Sequence, residues 1–229
     1  FEKIEKTLDK AGKYKILTNV YLEDWSNGMK KSKEYIFSLL DFLSKTSVKR
    51  VMLPDTLGIL TPKTTADFVN EITSKYSKIH FDFHGHNDYD LGVSNTLEAV
   101  KNGIKGIHLT VNGIGERAGN VALESTVAAI NDFIPNIRIN INEDSLYKVS
   151  QLVSTFTGHR IPPNKPIVGS NVFTQTAGIH ADGDNKNNLY FNDLLPERFG
   201  RKRSYALGKM SGKANVVKNL DELGVTLNE

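Results

Sequence analysis

The sequence predicts an α/β fold built on a parallel sheet, and three observations carry that prediction. Short apolar runs of strand character recur at residues 15–22, 50–54, 78–84 and 106–111. Amphipathic stretches separate them, which is the alternation of βαβ units rather than of hairpins. Each run ends in a polar cluster: Glu23-Asp24, Asp55-Thr56, His84 to Asp88, and Asn112 to Asn120. Catalytic groups of a (β/α)₈ barrel collect on that C-terminal edge.

The elements follow in order. KILTNVYL, residues 15–22, reads as the first strand, and residues 33–44 as an amphipathic helix behind it. RVMLP, residues 50–54, is a short buried strand. Thr61-Pro62 then opens a helix through about Tyr76, with proline in its favoured first-turn position. The third strand is 78–84, and its helix runs from about Asp90 to Lys101, closed by Asn102-Gly103. GIHLTV, 106–111, is the fourth strand, and 121–133 the fourth helix. A barrel needs eight such units and about 250 residues. Half a barrel would leave parallel edges uncovered. Residues 1–135 therefore read as an open sheet or as the C-terminal half of a barrel, and 136–229 as a linker with small helical subdomains. In that second part, 141–157 and 216–223 read as helices, 160–170 as a proline-rich linker and 173–184 as a short helix or turn. Residues 199–213 are basic and glycine-punctuated.

Composition narrows the class. The 229 residues include no cysteine, carry a net charge of +3, and are 39% hydrophobic and 24% charged. That balance is ordinary for a globular chain and excludes a disulfide framework and thiolate chemistry. It does not argue for nucleic acid as a partner. No apolar run has the length of a membrane span, and the first residues do not resemble a signal peptide. A cytoplasmic location, without a membrane partner, is the expectation.

The stretch FDFHGHND, 81–88, holds the densest chemistry. Alternation along a strand puts His80, Asp82, His84 and His86 on one side and Phe81 and Phe83 on the other. Two imidazoles in register at a strand end point to a divalent metal such as zinc, manganese, iron or cobalt. Asn120 can add an oxygen ligand, and Asp55 and Asp88 are the nearby carboxylates. In NGIGERAGN, 112–120, the glycines allow tight backbone beside a ligand, while Glu116 and Arg117 can pair or anchor neighbouring loops. Glu23 reads as a general acid or a solvated loop charge. Thr56 reads as a hydroxyl donor to a bound carboxylate or as a turn residue. Tyr21 shares the face of Glu23. By itself His180 reads as a surface histidine, and the basic cluster 201–213 as a solvated face.

HGHND and NGIGERAGN, taken with VYLEDWSNG, LPDTLGILTP, FTQTAGIHADGD and RKRSYALGK, resemble the metal-dependent Claisen-condensing synthases, which make 2-isopropylmalate, citramalate and homocitrate. The resemblance implies a (β/α)₈ barrel, of which this chain supplies about the last four units, followed by a linker and subdomains. It implies a divalent metal (zinc, manganese or magnesium) on His84, His86, Asn120 and an aspartate in a DxTLRDGEQ-like segment. The 229 residues contain no such segment. The implied co-substrates are acetyl-CoA and a 2-oxo acid. Tyr21 and Thr56 would bind that acid, Glu23 would serve as acid, and His180 with Tyr190 as the base or its relay. These last two would be delivered across a homodimer. 2-Isopropylmalate synthesis from 2-oxoisovalerate stands first, and citramalate synthesis from pyruvate close behind. A lyase or aldolase on the same metal scaffold is the rival reading.

Overall fold

Four parallel strands form the main sheet: β1 Asn19–Tyr21, β2 Arg50–Asp55, β3 His80–Gly85 and β4 Gly106–His108. They are hydrogen-bonded in the order β1-β2-β3-β4. In register, Tyr21 stands beside Met52, Met52 beside Asp82, and His84 beside Pro54 and His108. Residues opposite one another in a sheet point the same way. Asn19, Tyr21, Arg50, Met52, Pro54, His80, Asp82, His84 and His108 therefore share one face.

The other face carries Val51, Leu53, Phe81 and Phe83, all buried in one apolar cluster. Helices supply the rest of that cluster: α1 Glu2–Lys13 (Leu8), α2 Trp25–Lys31 (Trp25, Met29), α3 Lys33–Leu43 (Ile36, Leu40, Leu43), α4 Pro62–Lys75 (Val69, Ile72) and α5 Gly92–Lys101 (Ala99). Helix α6, Leu123–Phe133, packs beside α5. With strands in sequential order and helices gathered on the apolar face, the sheet is an arc of a (β/α)₈ wall. A doubly wound sheet would reverse its strand order and carry helices on both faces. The four expected βα units are present.

Boundaries differ where local chemistry intervenes. Helix α1 extends nearly to the first strand and ends at Tyr14, after which Lys15 turns left-handed (φ 56°). The strand is consequently three residues long rather than eight. Helix α2, unexpected from sequence, begins after Asp24, another left-handed residue (φ 56°), whose carboxylate accepts from Asn27 Nδ2 at 3.0 Å. Helix α4 starts as expected: Thr61 Oγ1 accepts from the Thr64 amide, and Thr64 Oγ1 from the Thr61 amide, with Pro62 behind the cap.

The computed structural model describes residues 1–186, 189 and 192–225, and divides into two compact units, Phe1–Arg138 and Ile139–Glu229. The second unit holds α7 Leu146–Thr157, α8 Gly178–Asn185, α9 Lys213–Glu222 and a small parallel pair, β5 Thr174–Gln175 with β6 Ser204–Tyr205. Arg201 holds this unit together. Its guanidinium lies over the rings of Tyr147 and Phe173 and donates to the carbonyls of Gly169 and Ser170. The basic segment read as a solvated face thus spends one cation internally. Arg198 does likewise, bidentate on Glu143.

Candidate metal and substrate site

Two imidazoles at the C-terminal end of β3 and an amide on the loop bridged to it offer three candidate donor atoms. The His84 and His86 rings stand 5.2 Å apart, perpendicular to each other. A backbone bridge pairs His86 with Asn120, bringing the glycine-rich loop alongside. The Asn120 side-chain nitrogen donates to the Ile114 carbonyl at 3.0 Å, which fixes the amide and aims its oxygen the other way. His84 Nδ1, His86 Nδ1 and Asn120 Oδ1 are all buried without a hydrogen-bond partner among the described residues. Buried polar atoms are rarely left unmatched, and those that are ask for an ion or a ligand. Burial pushes the His84 imidazole below its ordinary pKa, with His86 and His108 adding to the effect and Glu23 opposing it. The neutral ring is the form that offers a lone pair to a metal.

This donor set of two imidazoles and an amide oxygen fits a divalent cation. Among the described residues no three His, Cys, Asp or Glu side chains form such a group, because the third donor here is an amide. The two carboxylates considered from sequence are engaged elsewhere. Asp55 is buried, with Oδ1 accepting from the Ile59 amide and Oδ2 from the Leu60 amide, both at 3.0 Å, so it ties down its own turn. Asp88 is held by Arg117, through Nε at 2.8 Å and Nη2 at 3.1 Å. That guanidinium holds the Asp88 carboxyl below its usual range. Arg117 Nη2 also donates to the Thr56 carbonyl at 2.6 Å, so one side chain ties three strand-end loops together. Glu116 is a bystander, exposed and 3.6 Å from Arg117.

The loop bearing Asn120 has its own supports. Asn112 is left-handed (φ 61°), and its amide donates to Oε1 of the buried Glu124 at 2.8 Å. Gly119 is left-handed too (φ 89°) and its carbonyl accepts from the Asn87 amide.

Next to the donors, Thr56 Oγ1 donates to Glu23 Oε1 at 2.8 Å and accepts from the Asp24 amide at 3.0 Å. Both functions of the hydroxyl are used in this arrangement. To hold a substrate carboxylate, Thr56 must turn its hydrogen away from Glu23. Tyr21, half exposed, bonds through its hydroxyl to His108 Nδ1 at 3.0 Å. His108 and Arg50 escaped the sequence reading. Both lie at alternate positions in register with the imidazoles, and that alternation was the available signal. His180 is exposed on α8 of the second unit. Tyr190 lies outside the described residues.

Family models match most of the chain. The HMGL-like family matches residues 1–153, and the homocitrate synthase post-HMGL domain-like family residues 167–229. The chain belongs to the HMGL-like family. A probable 2-isopropylmalate synthase of Ignicoccus hospitalis is 40% identical over 198 residues, covering 86% of this chain and 49% of that protein. A putative (R)-citramalate synthase of Methanopyrus kandleri is 32% identical over all 229 residues, covering 44% of its own length. The chain thus spans about half or less of the curated relatives it matches. The crystal structure of hydroxymethylglutaryl-CoA lyase from Pseudomonas aeruginosa superposes with a TM-score of 0.58 at 18% identity, over 70% of this chain and 56% of that one. That likeness bears on the fold, a partial (β/α)₈ barrel with helices around it. None of the described helices is long and apolar enough to cross a membrane.

Proposed function

We propose that this chain is part of an acyltransferase that condenses acetyl-CoA with a 2-oxo acid, in which His84, His86 and Asn120 hold a divalent metal. One observation carries the reading: each of these three side chains keeps a buried, unpartnered donor atom at the same strand end. A bound metal would act there as a Lewis acid toward the acid's keto group.

The chain's own residues account for the rest. Thr56 turns its hydroxyl to the substrate carboxylate. Glu23, freed from Thr56 and carrying a proton taken up from solvent, gives it to the keto oxygen as the new carbon–carbon bond forms. His180, with Tyr190, takes the proton from the acetyl methyl group, and we place them in the partner subunit of a homodimer. Water then cleaves the thioester and releases CoA as the free thiol. Asp55 and Arg117 hold the loops that carry Thr56 and Asp88 beside the donors.

Relatives named for both branched and small acids support the two readings of the substrate. The 2-isopropylmalate synthase reading stands first. The citramalate synthase reading is favoured by Tyr21, whose ring is held against His108, the neighbour of His84 on the same face. Release of free CoA by the complete enzyme, followed with a thiol reagent under pyruvate and under 2-oxoisovalerate, tests the reaction. No thiol release with any 2-oxo acid would leave the lyase or aldolase reading in its place.

A further inference from the structure

A hydrogen-bonded chain crosses the polar face of the sheet, and the proposed chemistry does not use it. It begins at Asp82, whose side chain is 2% exposed. Asp82 Oδ2 lies 3.3 Å from Arg50 Nη1 and 3.2 Å from His108 Nε2. His80 Nε2 stands 2.9 Å from Oδ1, near enough for an ion pair but off the line of a hydrogen bond. The far nitrogen of His108 meets Tyr21 Oη.

Direction along this chain is fixed from its buried end. A carboxylate only accepts, so His108 carries hydrogen on Nε2. In the tautomer with that single hydrogen, Nδ1 accepts and Tyr21 donates. The ring of Tyr21, 5.8 Å from that of His108, is consequently tethered at its tip as well as at its backbone. His108 stands 5.9 Å from His84, so the ring that tethers Tyr21 borders the donor cluster without belonging to it.

We propose that Asp82 and His108 are positioning residues that hold Tyr21 as a fixed wall and so limit the size of the 2-oxo acid side chain accepted. The inference rests on the 2-oxo acid reading above. A free tyrosine swings about two torsions and yields to a larger ligand; one held through its hydroxyl does not. Discrimination of one methylene in an apolar pocket is worth roughly 10–200-fold, and a rigid wall is needed to reach the upper part of that range.

The test compares pyruvate with 2-oxoisovalerate in the complete enzyme, by kcat/KM and by dissociation constants from calorimetry. Whichever acid the unsubstituted enzyme prefers, His108→Leu and Tyr21→Phe should move the ratio toward the larger acid by about tenfold or more. The change should fall on KM more than on kcat. His108→Gln, whose amide sets a donor beside an acceptor, should restore most of the original ratio, which a merely structural role would not predict. Histidine ring ¹⁵N resonances should show His108 protonated at Nε2 and bare at Nδ1. Ratios within twofold of the original in both His108→Leu and Tyr21→Phe, or a proton on Nδ1, overturn the inference while the condensation reading stands. Absence of CoA release with altered acid binding overturns the reaction but keeps the wall. Binding of neither acid overturns both.

Discussion

Tyr21 Oη and His108 Nδ1 lie 3.0 Å apart, although 87 residues separate them in sequence. They belong to β1 and β4, the two edges of the four-stranded sheet, so their bond spans its polar face. A double-mutant cycle with Tyr21→Phe and His108→Leu should give a coupling of about 0.5–1.5 kcal/mol in urea unfolding. Additive single effects would mean that this hydrogen bond does not form in solution.

The donor cluster makes a separate prediction about metal content. His84→Ala and His86→Ala should abolish stoichiometric divalent metal in the complete enzyme, read by elemental analysis. Asn120→Asp keeps an oxygen at the same place and should retain metal. Asn120→Leu keeps the volume, removes the donor and should lose at least about tenfold in affinity. Metal content unchanged in His84→Ala would remove that ring from the ligand set.

The fold was legible in the sequence because it follows from short periodicities. Alternation put His84 and His86 on one face with Phe81 and Phe83 opposite, and the βα period put every polar cluster on the same edge. Long-range pairings were less accessible. Nothing local says that Arg117 reaches back to Asp88 and to the Thr56 carbonyl, or that Asp55 turns both oxygens to its own loop. Helix α2 is seven residues long with Gly28 inside it, too short to show a helical period, while burial of Trp25 beside the ring of Phe68 makes the helix worth forming.

Arg117 sets an acid limb on stability. The Asp88 carboxyl is depressed chiefly by its hydrogen bonds to Arg117. The pair therefore stabilises the fold fully above the unfolded carboxyl pKa of about 3.9. That contribution is lost as pH falls through the lower folded value. Asp88→Asn should be less stable than the unsubstituted protein at pH 6, and the two should converge as pH drops below about 4. Urea midpoints at both pH values measure this, and a gap that stays constant would place the depression elsewhere.

Glu124 is buried on the first turn of α6 and accepts from the amide of left-handed Asn112. Removing the buried carboxyl takes this acceptor away from the amide. Glu124→Ala should cost about 1.5–3 kcal/mol in urea unfolding. Asn112→Gly should cost less, since glycine adopts the same backbone freely.

Gly119 and Gly115 separate the stability of the loop from its use. Gly119 is left-handed, and a Cβ there would run into the Gly113 carbonyl oxygen, a backbone atom that already accepts from the Asn120 amide. Neither group can step aside, so Gly119→Ala should lose more than about 2 kcal/mol, or roughly 4–8 °C in thermal midpoint. A Cβ on Gly115 would meet chiefly the side-chain amide of Asn120, with the Asn120 backbone nitrogen farther off at 3.1 Å. A side chain can move, so Gly115→Ala should melt close to the unsubstituted protein. The moved amide then no longer aims its oxygen beside His86, and metal content should fall with stability preserved. Equal thermal losses in the two variants would show that the loop yields as a whole, and that Asn120 is not held by Gly115's missing side chain.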